Sequence, residues 1–262
     1  MCGIVGAVAD RDIVPILIEG LRRLEYRGYD SAGVAVVADG GLETRRAEGK
    51  LDRLIERLRE QPLSGSYGVA HTRWATHGKP TERNAPPVVD SKNRIAIIHN
   101  GIIENFLVIK RRLLAEGWTF ATDTDTEVIA NLVSSYYAGD LAAAVKRAVG
   151  ELEGMYACAL IGTESTLGDD EEIVAVRQGT PLVLGLGQGE SFLASDPAAL
   201  IAHTRDVIFL DNGDIARLTR SQIEIWDRSG AAVKRPVTRL NWDPQQVEKG
   251  GYKHFMLKES FE

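Results

Sequence analysis

Met1-Cys2-Gly3-Ile4-Val5-Gly6-Ala7-Val8-Ala9-Asp10 is the stretch from which the fold is read. Residues 3–9 alternate small and β-branched side chains and carry no charge before Asp10, which predicts a buried strand. Cys2 stands directly before that strand and directly after Met1. Aminopeptidases remove Met1 when the next side chain is small, as cysteine is. The processed chain would then carry a thiol and a free α-amine on one residue. An α-amine has an ordinary pKa of about 7.7–8.0, so it can accept the thiol proton near neutral pH. One residue would supply both nucleophile and base. Position 2 is equally compatible with cysteine as a small buried apolar side chain, and the residue alone does not separate the two.

Outward from this strand, Ile13, Ile16, Leu17, Leu21 and Leu24 recur at helical spacing over 13–25. Residues 32–38 and 42–48 predict a hairpin around Asp39-Gly40-Gly41. Further helices are predicted over 51–60, 105–116, 125–137 and 141–150, with strands over 67–72 and 94–99. Beyond Gly150 come short strands over 155–162, 172–177, 182–187, 191–194, 206–210, 214–218 and 222–226, interrupted by one helical turn over 197–202. Helices gather in the first half and strands run through both, which is not the strict alternation of a parallel doubly wound sheet. The expectation is an α+β layered domain with largely antiparallel sheets.

Composition narrows the function. The chain has 262 residues, 31 Lys and Arg against 37 Asp and Glu, and a net charge of −6. A general nucleic-acid role needs a basic surface and is not expected. Two cysteines, Cys2 and Cys158, are too few for a disulfide framework or a four-cysteine metal site. The opening has no basic leader region, and no stretch of 18 uncharged apolar residues occurs, so neither secretion nor a membrane span is expected and the predicted location is cytoplasmic.

Four segments, in order, carry a resemblance. They are Cys2-Gly3-Ile4-Val5-Gly6, Glu25-Tyr26-Arg27-Gly28-Tyr29-Asp30-Ser31-Ala32-Gly33, His71-Thr72-Arg73-Trp74-Ala75-Thr76-His77-Gly78, and His99-Asn100-Gly101-Ile102-Ile103-Glu104-Asn105 followed by Thr124-Asp125-Thr126-Glu127. Together they resemble the glutaminase domains of the glucosamine-6-phosphate synthase family (glutamine–fructose-6-phosphate aminotransferases, isomerizing). These are class II glutamine amidotransferases with the N-terminal-nucleophile hydrolase fold. The likeness continues through Thr180-Pro181-Leu182-Val183, Ala194-Ser195-Asp196 and Tyr252 to Glu259. It implies a four-layer αββα sandwich, a glutaminase domain over 1–240, and at 241–262 the start of a linker to a sugar isomerase half that binds fructose 6-phosphate. It also implies L-glutamine as substrate, ammonia passed to that isomerase half, a homo-oligomeric full-length enzyme, and no cofactor or metal.

Chemistry can be read beside the resemblance. Splitting a glutamine side-chain amide creates a tetrahedral oxyanion, which is held by preorganised N–H donors. Asn100-Gly101, after an apolar strand, offers a side-chain amide and a backbone N–H, and the resemblance assigns both to the oxyanion hole; by itself Asn-Gly is a common turn. Arg73 suits the α-carboxylate of glutamine because its planar fork bonds two oxygens at once. The family places Arg73 there, with Thr76 and His77 in the same loop lending contacts. Asp125 suits the α-ammonium. Locally, Thr124-Asp125-Thr126-Glu127 predicts a capping box in which Thr124 caps the helix, Glu127 reaches back and Asp125 projects from the first turn. The resemblance implies that the loop closes over glutamine and that Trp74 gates an ammonia passage.

Other patterns are read as structural. Gly185-Leu186-Gly187-Gln188-Gly189 has Glu190 where a dinucleotide fingerprint needs glycine, and is predicted to be a turn. His71 and His77 lack the acidic partner of a zinc helix, His99 is expected to be a packed histidine, and Cys158 an inert core residue. The family's Asn-Ala-His-Pro-His is here Asn84-Ala85-Pro86-Pro87-Val88, so two histidines are absent. The rival readings are another class II amidotransferase, forming phosphoribosylamine or asparagine, and a silent glutamine-binding regulatory domain.

Overall fold

The computed structural model describes residues 2–164 and 171–241. The first half holds β1 (Gly3–Val8), α1 (Val14–Leu24), β2 (Ser31–Ala38), β3 (Gly41–Glu48), α2 (Leu51–Glu60), β4 (Tyr67–Arg73), β5 (Val88–Val89), β6 (Ile95–Ile103), α3 (Phe106–Ala115), α4 (Thr126–Tyr136) and α5 (Leu141–Val149). The second half adds β7 (Gly154–Gly162), β8 (Ile173–Gln178), β9 (Val183–Leu186), β10 (Ser191–Ala194), β11 (Asp206–Phe209), β12 (Ile215–Leu218), β13 (Ile223–Trp226) and β14 (Val237–Arg239). The last segment, 242–262, where the linker is expected, lies outside the described residues.

The strands form two sheets. One has the order β14-β11-β9-β10-β1-β4-β2-β3, the other β13-β12-β8-β7-β6-β5. The named pairs are all antiparallel. Strand alternation sets the layers. On β1, Val5 and Ala7 pack with Leu17, Leu21 and Leu54 of α1 and α2, while Ile4 and Val8 turn the other way, toward Ala96, Ile98 and Ala159 of the second sheet. On β6, Ile95 and Ile97 face α4 and α5 through Val128, Leu132 and Val145. Helices, sheet, sheet and helices therefore stack as αββα, with three apolar layers between them. Ile98 is completely buried at the sheet–sheet contact, and cutting it to alanine would cost about 2–5 kcal/mol.

Local chemistry explains the elements. Asp39 (φ 50°) and Gly40 (φ 74°) make the two-residue turn between β2 and β3, both in the left-handed region that such a hairpin turn requires. Of the stretch Gly185 to Gly189, Gly185 and Leu186 belong to β9 and the residues after them turn into β10, closed by Gly187 N–H donating to Glu190 O at 2.9 Å. Asp140 caps α5 by accepting from Ala143 N at 2.9 Å. The predicted capping box before α4 does not form. Asp125 occupies the cap position without capping, because its carboxylate accepts from Ile103 N at 3.0 Å. Glu127 reaches past the cap to Ala121 N and Thr122 N, both at 2.6 Å.

One consequence positions the site. β1 lies between β10 and β4, inside the eight-stranded sheet, with Gly3 opposite Thr72. The start of β1, the end of β4 and the end of β6 thus meet where the two sheets face each other.

Candidate active site

Cys2 enters β1 and is held on every side. Its neighbours' backbone is fixed by Gly3 N donating to Thr72 Oγ1 at 3.1 Å and Ile4 N to Ser195 Oγ at 3.0 Å. The Cys2 carbonyl accepts from Asn100 Nδ2 at 3.3 Å and from Arg27 Nη1 at 3.4 Å. The thiol is free, and Trp74 N donates to its sulfur at 3.1 Å. Burial pushes the thiol pKa above its ordinary value, opposed by the Trp74 N–H and the charge of Arg73. A thiol is nucleophilic only as its thiolate, so a thiol raised in this way reacts only where a base is within reach.

Asn100 and Gly101 lie near the end of β6, across from the first sheet. His71 of β4 joins the two sheets through a 2.8 Å contact from its Nε2 to Asn100 Oδ1. The ring's other nitrogen, Nδ1, is buried without a partner. A proton on Nδ1 would be an unsatisfied donor, so the proton belongs on Nε2, where Asn100 Oδ1 accepts it. That assignment turns the Asn100 amide N–H toward Cys2. Burial lowers the His71 pKa to about 3, so the ring is neutral at neutral pH. Gly101 has φ +123°, and a Cβ there would stand 2.0 Å from Met155 O, so only glycine fits.

Arg73 ends β4. One arm, Nη2, donates to the carbonyls of His77 and Gly78, the latter at 3.3 Å. The other arm, Nη1, is buried and has no partner. Asp125 is buried at the head of α4, held by Ile103 N. Burial lowers the pKa of neighbouring His99, whose Nδ1 contacts Thr126 Oγ1 at 3.1 Å.

These groups share a cavity of about 610 Å³. Cys2, Arg73, Asn100, Gly101 and Asp125 line it together, with Trp74 and Thr76 at its wall. Trp74 is 56% exposed and covers Gly28, whose φ is +73°; a Cβ there would meet the indole at 3.0 Å. His77 stands apart from this wall. It packs its ring against Phe106 at 5.2 Å and offers its main-chain carbonyl to Arg73. Pro86 and Val88 line the same cavity where the family carries histidines. Among the described residues no His, Cys, Asp and Glu group is arranged to hold a metal ion, and no helix is long and apolar enough to cross a membrane. Cys158 is buried in the helix-side core.

Several residues around the site had no assigned role in the sequence. Arg27 donates to Ser195 Oγ at 3.2 Å and Asp196 Oδ2 at 2.7 Å besides Cys2 O. Asp30 accepts from Ala75 N at 2.6 Å, pinning the loop after Arg73. Thr180 Oγ1 donates to Asn100 O at 3.4 Å. Their signal was present, since the segments containing them were part of the resemblance, but the contacts join residues 25 to 169 positions apart.

An αββα sandwich with a cysteine, an asparagine-glycine pair and an arginine with one unpartnered arm in one cavity has the fold of N-terminal-nucleophile hydrolases. A family model described as a glutamine amidotransferase domain matches residues 71–202, and the chain belongs to that family. It is similar over all its length to the glutamine–fructose-6-phosphate aminotransferases (isomerizing) of Thermus thermophilus, at 50% identity over 262 residues, and Clostridium tetani, at 44%. The chain spans 42% of the length of each of these relatives. Among solved structures, the glutamine phosphoribosylpyrophosphate amidotransferase of B. subtilis shares the fold with a TM-score of 0.75 at 23% identity, over 88% of this chain and 50% of that one. A class II glutamine aminotransferase domain protein from Silicibacter pomeroyi gives 0.56 at 14% identity, over 86% of this chain and 99% of that one.

Proposed function

We propose that the chain is the glutaminase part of a glutamine–fructose-6-phosphate aminotransferase. The observation that carries the reading is the convergence of Cys2, Asn100, Gly101, Arg73 and Asp125 on one cavity. Similarity across this chain at 50% identity to proteins with that name supports the acceptor, whereas the phosphoribosylpyrophosphate enzyme shares the fold at 23%.

In this reading Arg73 Nη1 takes the glutamine α-carboxylate and Asp125 the α-ammonium. After loss of Met1, the Cys2 α-amine removes the thiol proton. The sulfur attacks the amide carbon, and the oxyanion is met by Asn100 Nδ2 and Gly101 N–H. The carbon–nitrogen bond then breaks, and the proton held by the α-amine leaves with ammonia. Water attacks the remaining γ-glutamyl thioester, which releases glutamate and restores the thiol. Ammonia passes, with Trp74 as gate, to an isomerase half carrying fructose 6-phosphate, reached through a linker beginning in 241–262, and the enzyme works in the cytoplasm.

Ammonia release from L-glutamine tests the first half, with Cys2→Ala as the inactive control. A form that keeps Met1, verified by mass spectrometry, is expected to be inert. Undiminished hydrolysis by that form would remove the α-amine from the mechanism. No release from correctly processed protein would favour the glutamine-binding module instead.

A further inference from the structure

Away from the glutamine cavity, β3, α2 and the turn Glu82–Asn84 enclose a second cleft of about 440 Å³. Arg45, Arg46, Arg57 and Arg83 line it, and Glu82 is the one carboxylate in its wall. Three of these arginines are occupied. Arg57 pairs with Glu82 at 2.6 Å and donates to Arg46 O at 3.2 Å. Arg45 reaches Gln61 O and Thr44 O, both at 3.0 Å, and Glu43 at 3.2 Å. Arg83 donates to Ala121 O and lies 3.9 Å from Asp123.

Arg46 differs. Its Nε is buried and has no partner, and no hydrogen bond or ion pair reaches its guanidinium among the described residues. It is the one arginine lining the cleft that is half-buried and yet has no bonded partner. Burial lowers its pKa below the ordinary value, while the nearby charges of Glu82 and Glu127 act the other way. Neither carboxylate bonds to its guanidinium: Glu82 is held by Arg57, and Glu127 accepts from Ala121 N, Thr122 N and Thr122 Oγ1 at 2.6–2.7 Å. A half-buried cation with no bonded partner leaves its donors open to an anion that joins it.

We propose that this cleft binds a phosphate group, as free phosphate or as the phosphomonoester of a small metabolite, with Arg46 as its central contact and Arg57 and Arg83 closing on it. Guanidinium forks match the several oxygens of a phosphate, and a doubly charged anion answers the surplus of arginine over Glu82 better than one carboxylate does. The site is separate from the glutamine cavity and does not depend on the reading of that cavity.

The test uses the whole 262-residue chain at constant ionic strength, with binding followed by calorimetry and by the unfolding midpoint. Orthophosphate, glycerol 3-phosphate and succinate are the probes. Saturable binding of orthophosphate is expected, weakened at least tenfold in Arg46→Gln and in Arg83→Gln and unchanged in Arg59→Gln, an exposed arginine outside the cleft. Tighter binding of glycerol 3-phosphate would identify the ester as the source, and preference for orthophosphate the free ion. Without phosphate, Arg46→Gln is expected to unfold at the same temperature as the parent or higher, because it removes a half-buried charge that has no bonded partner. A midpoint rise that does not saturate, that is equal in parent and Arg46→Gln, or that succinate reproduces in full would overturn the proposal.

Discussion

Replacing His71 by leucine isolates one contact, because His71 meets the candidate oxyanion hole only through Asn100 Oδ1 at 2.8 Å. Leucine fills much of the same space and cannot donate. The structural cost is a buried amide oxygen left without a donor, about 1–3 kcal/mol of stability. The catalytic cost is smaller than deleting Asn100. The amide nitrogen keeps its bond to Cys2 O at 3.3 Å, so the group does not turn over; it loses the anchor that holds it still. A neutral hydrogen bond contributes about 0.5–1.5 kcal/mol net. If all of that serves orientation, kcat for ammonia release falls about two- to twelvefold at tenfold per 1.4 kcal/mol. Removing the donor outright in Asn100→Ala is expected to lower kcat by about 10²–10³. The cycle is decisive. In the Asn100→Ala background, adding His71→Leu should leave kcat unchanged, with KM for glutamine the same in both forms. A further fall in kcat there would mean that His71 acts on the reaction by another route, as a proton carrier for example.

The same residue shapes acid stability. His71 is neutral in the fold, with a pKa of about 3 against about 6.5 unfolded, so the unfolded chain binds the extra proton. Its contribution is therefore present above pH 6.5 and lost as pH falls toward 3, by up to about 1.4 kcal/mol per pH unit. Denaturant titrations at pH 6 and pH 4 should show a shallower loss in His71→Leu than in the parent. Arg73→Lys removes the fork that would take the glutamine carboxylate; KM should rise about ten- to a hundredfold, from the 1.5–3 kcal/mol of a charge-assisted bond, with kcat little changed. In Gly101→Ala the new Cβ meets Met155 O at 2.0 Å. Since strained backbone alone costs about 1–3 kcal/mol, calorimetry should show a clear drop in unfolding midpoint together with lost ammonia release. In a full-length protein, Trp74→Ala should hydrolyse glutamine yet transfer less ammonia to the acceptor, and equal transfer efficiency would reject the gate.

The strands and helices were legible where apolar spacing was regular. The two-sided burial of residues 3–9 and the left-handed turn at Asp39-Gly40 both appear as read. The short pairs at Val88–Val89 and Val237–Arg239 were not, because two or three residues give no period. The helix start at Thr126 misled for a physical reason. Asp125 is drawn to a distant backbone N–H on β6, and a local motif cannot register such a competitor. The same limit applies to the site. The types Cys2, Asn100, Arg73 and Asp125 could be named from chemistry and resemblance, and the structure places them in one cavity. That Arg27 ties Cys2 to Ser195 and Asp196, across 168 to 169 positions, depends on sheet order that no local pattern encodes.

The position of β1 bears on the order in which the protein is made. Ile4 bonds to Ser195, 191 residues later. At ribosomal speeds of roughly 5–20 residues per second, the strand behind Cys2 waits about 10–40 s for that partner to be synthesised. Until β4 is made, β1 has neither of its sheet neighbours, and until β10 is made it has only one, so the start of the chain stays open to a peptidase for part of this interval. Once β10 arrives, β1 is locked between two neighbours. In the proposed mechanism, then, loss of Met1 belongs to the growing chain, before both sheet neighbours of β1 have been made.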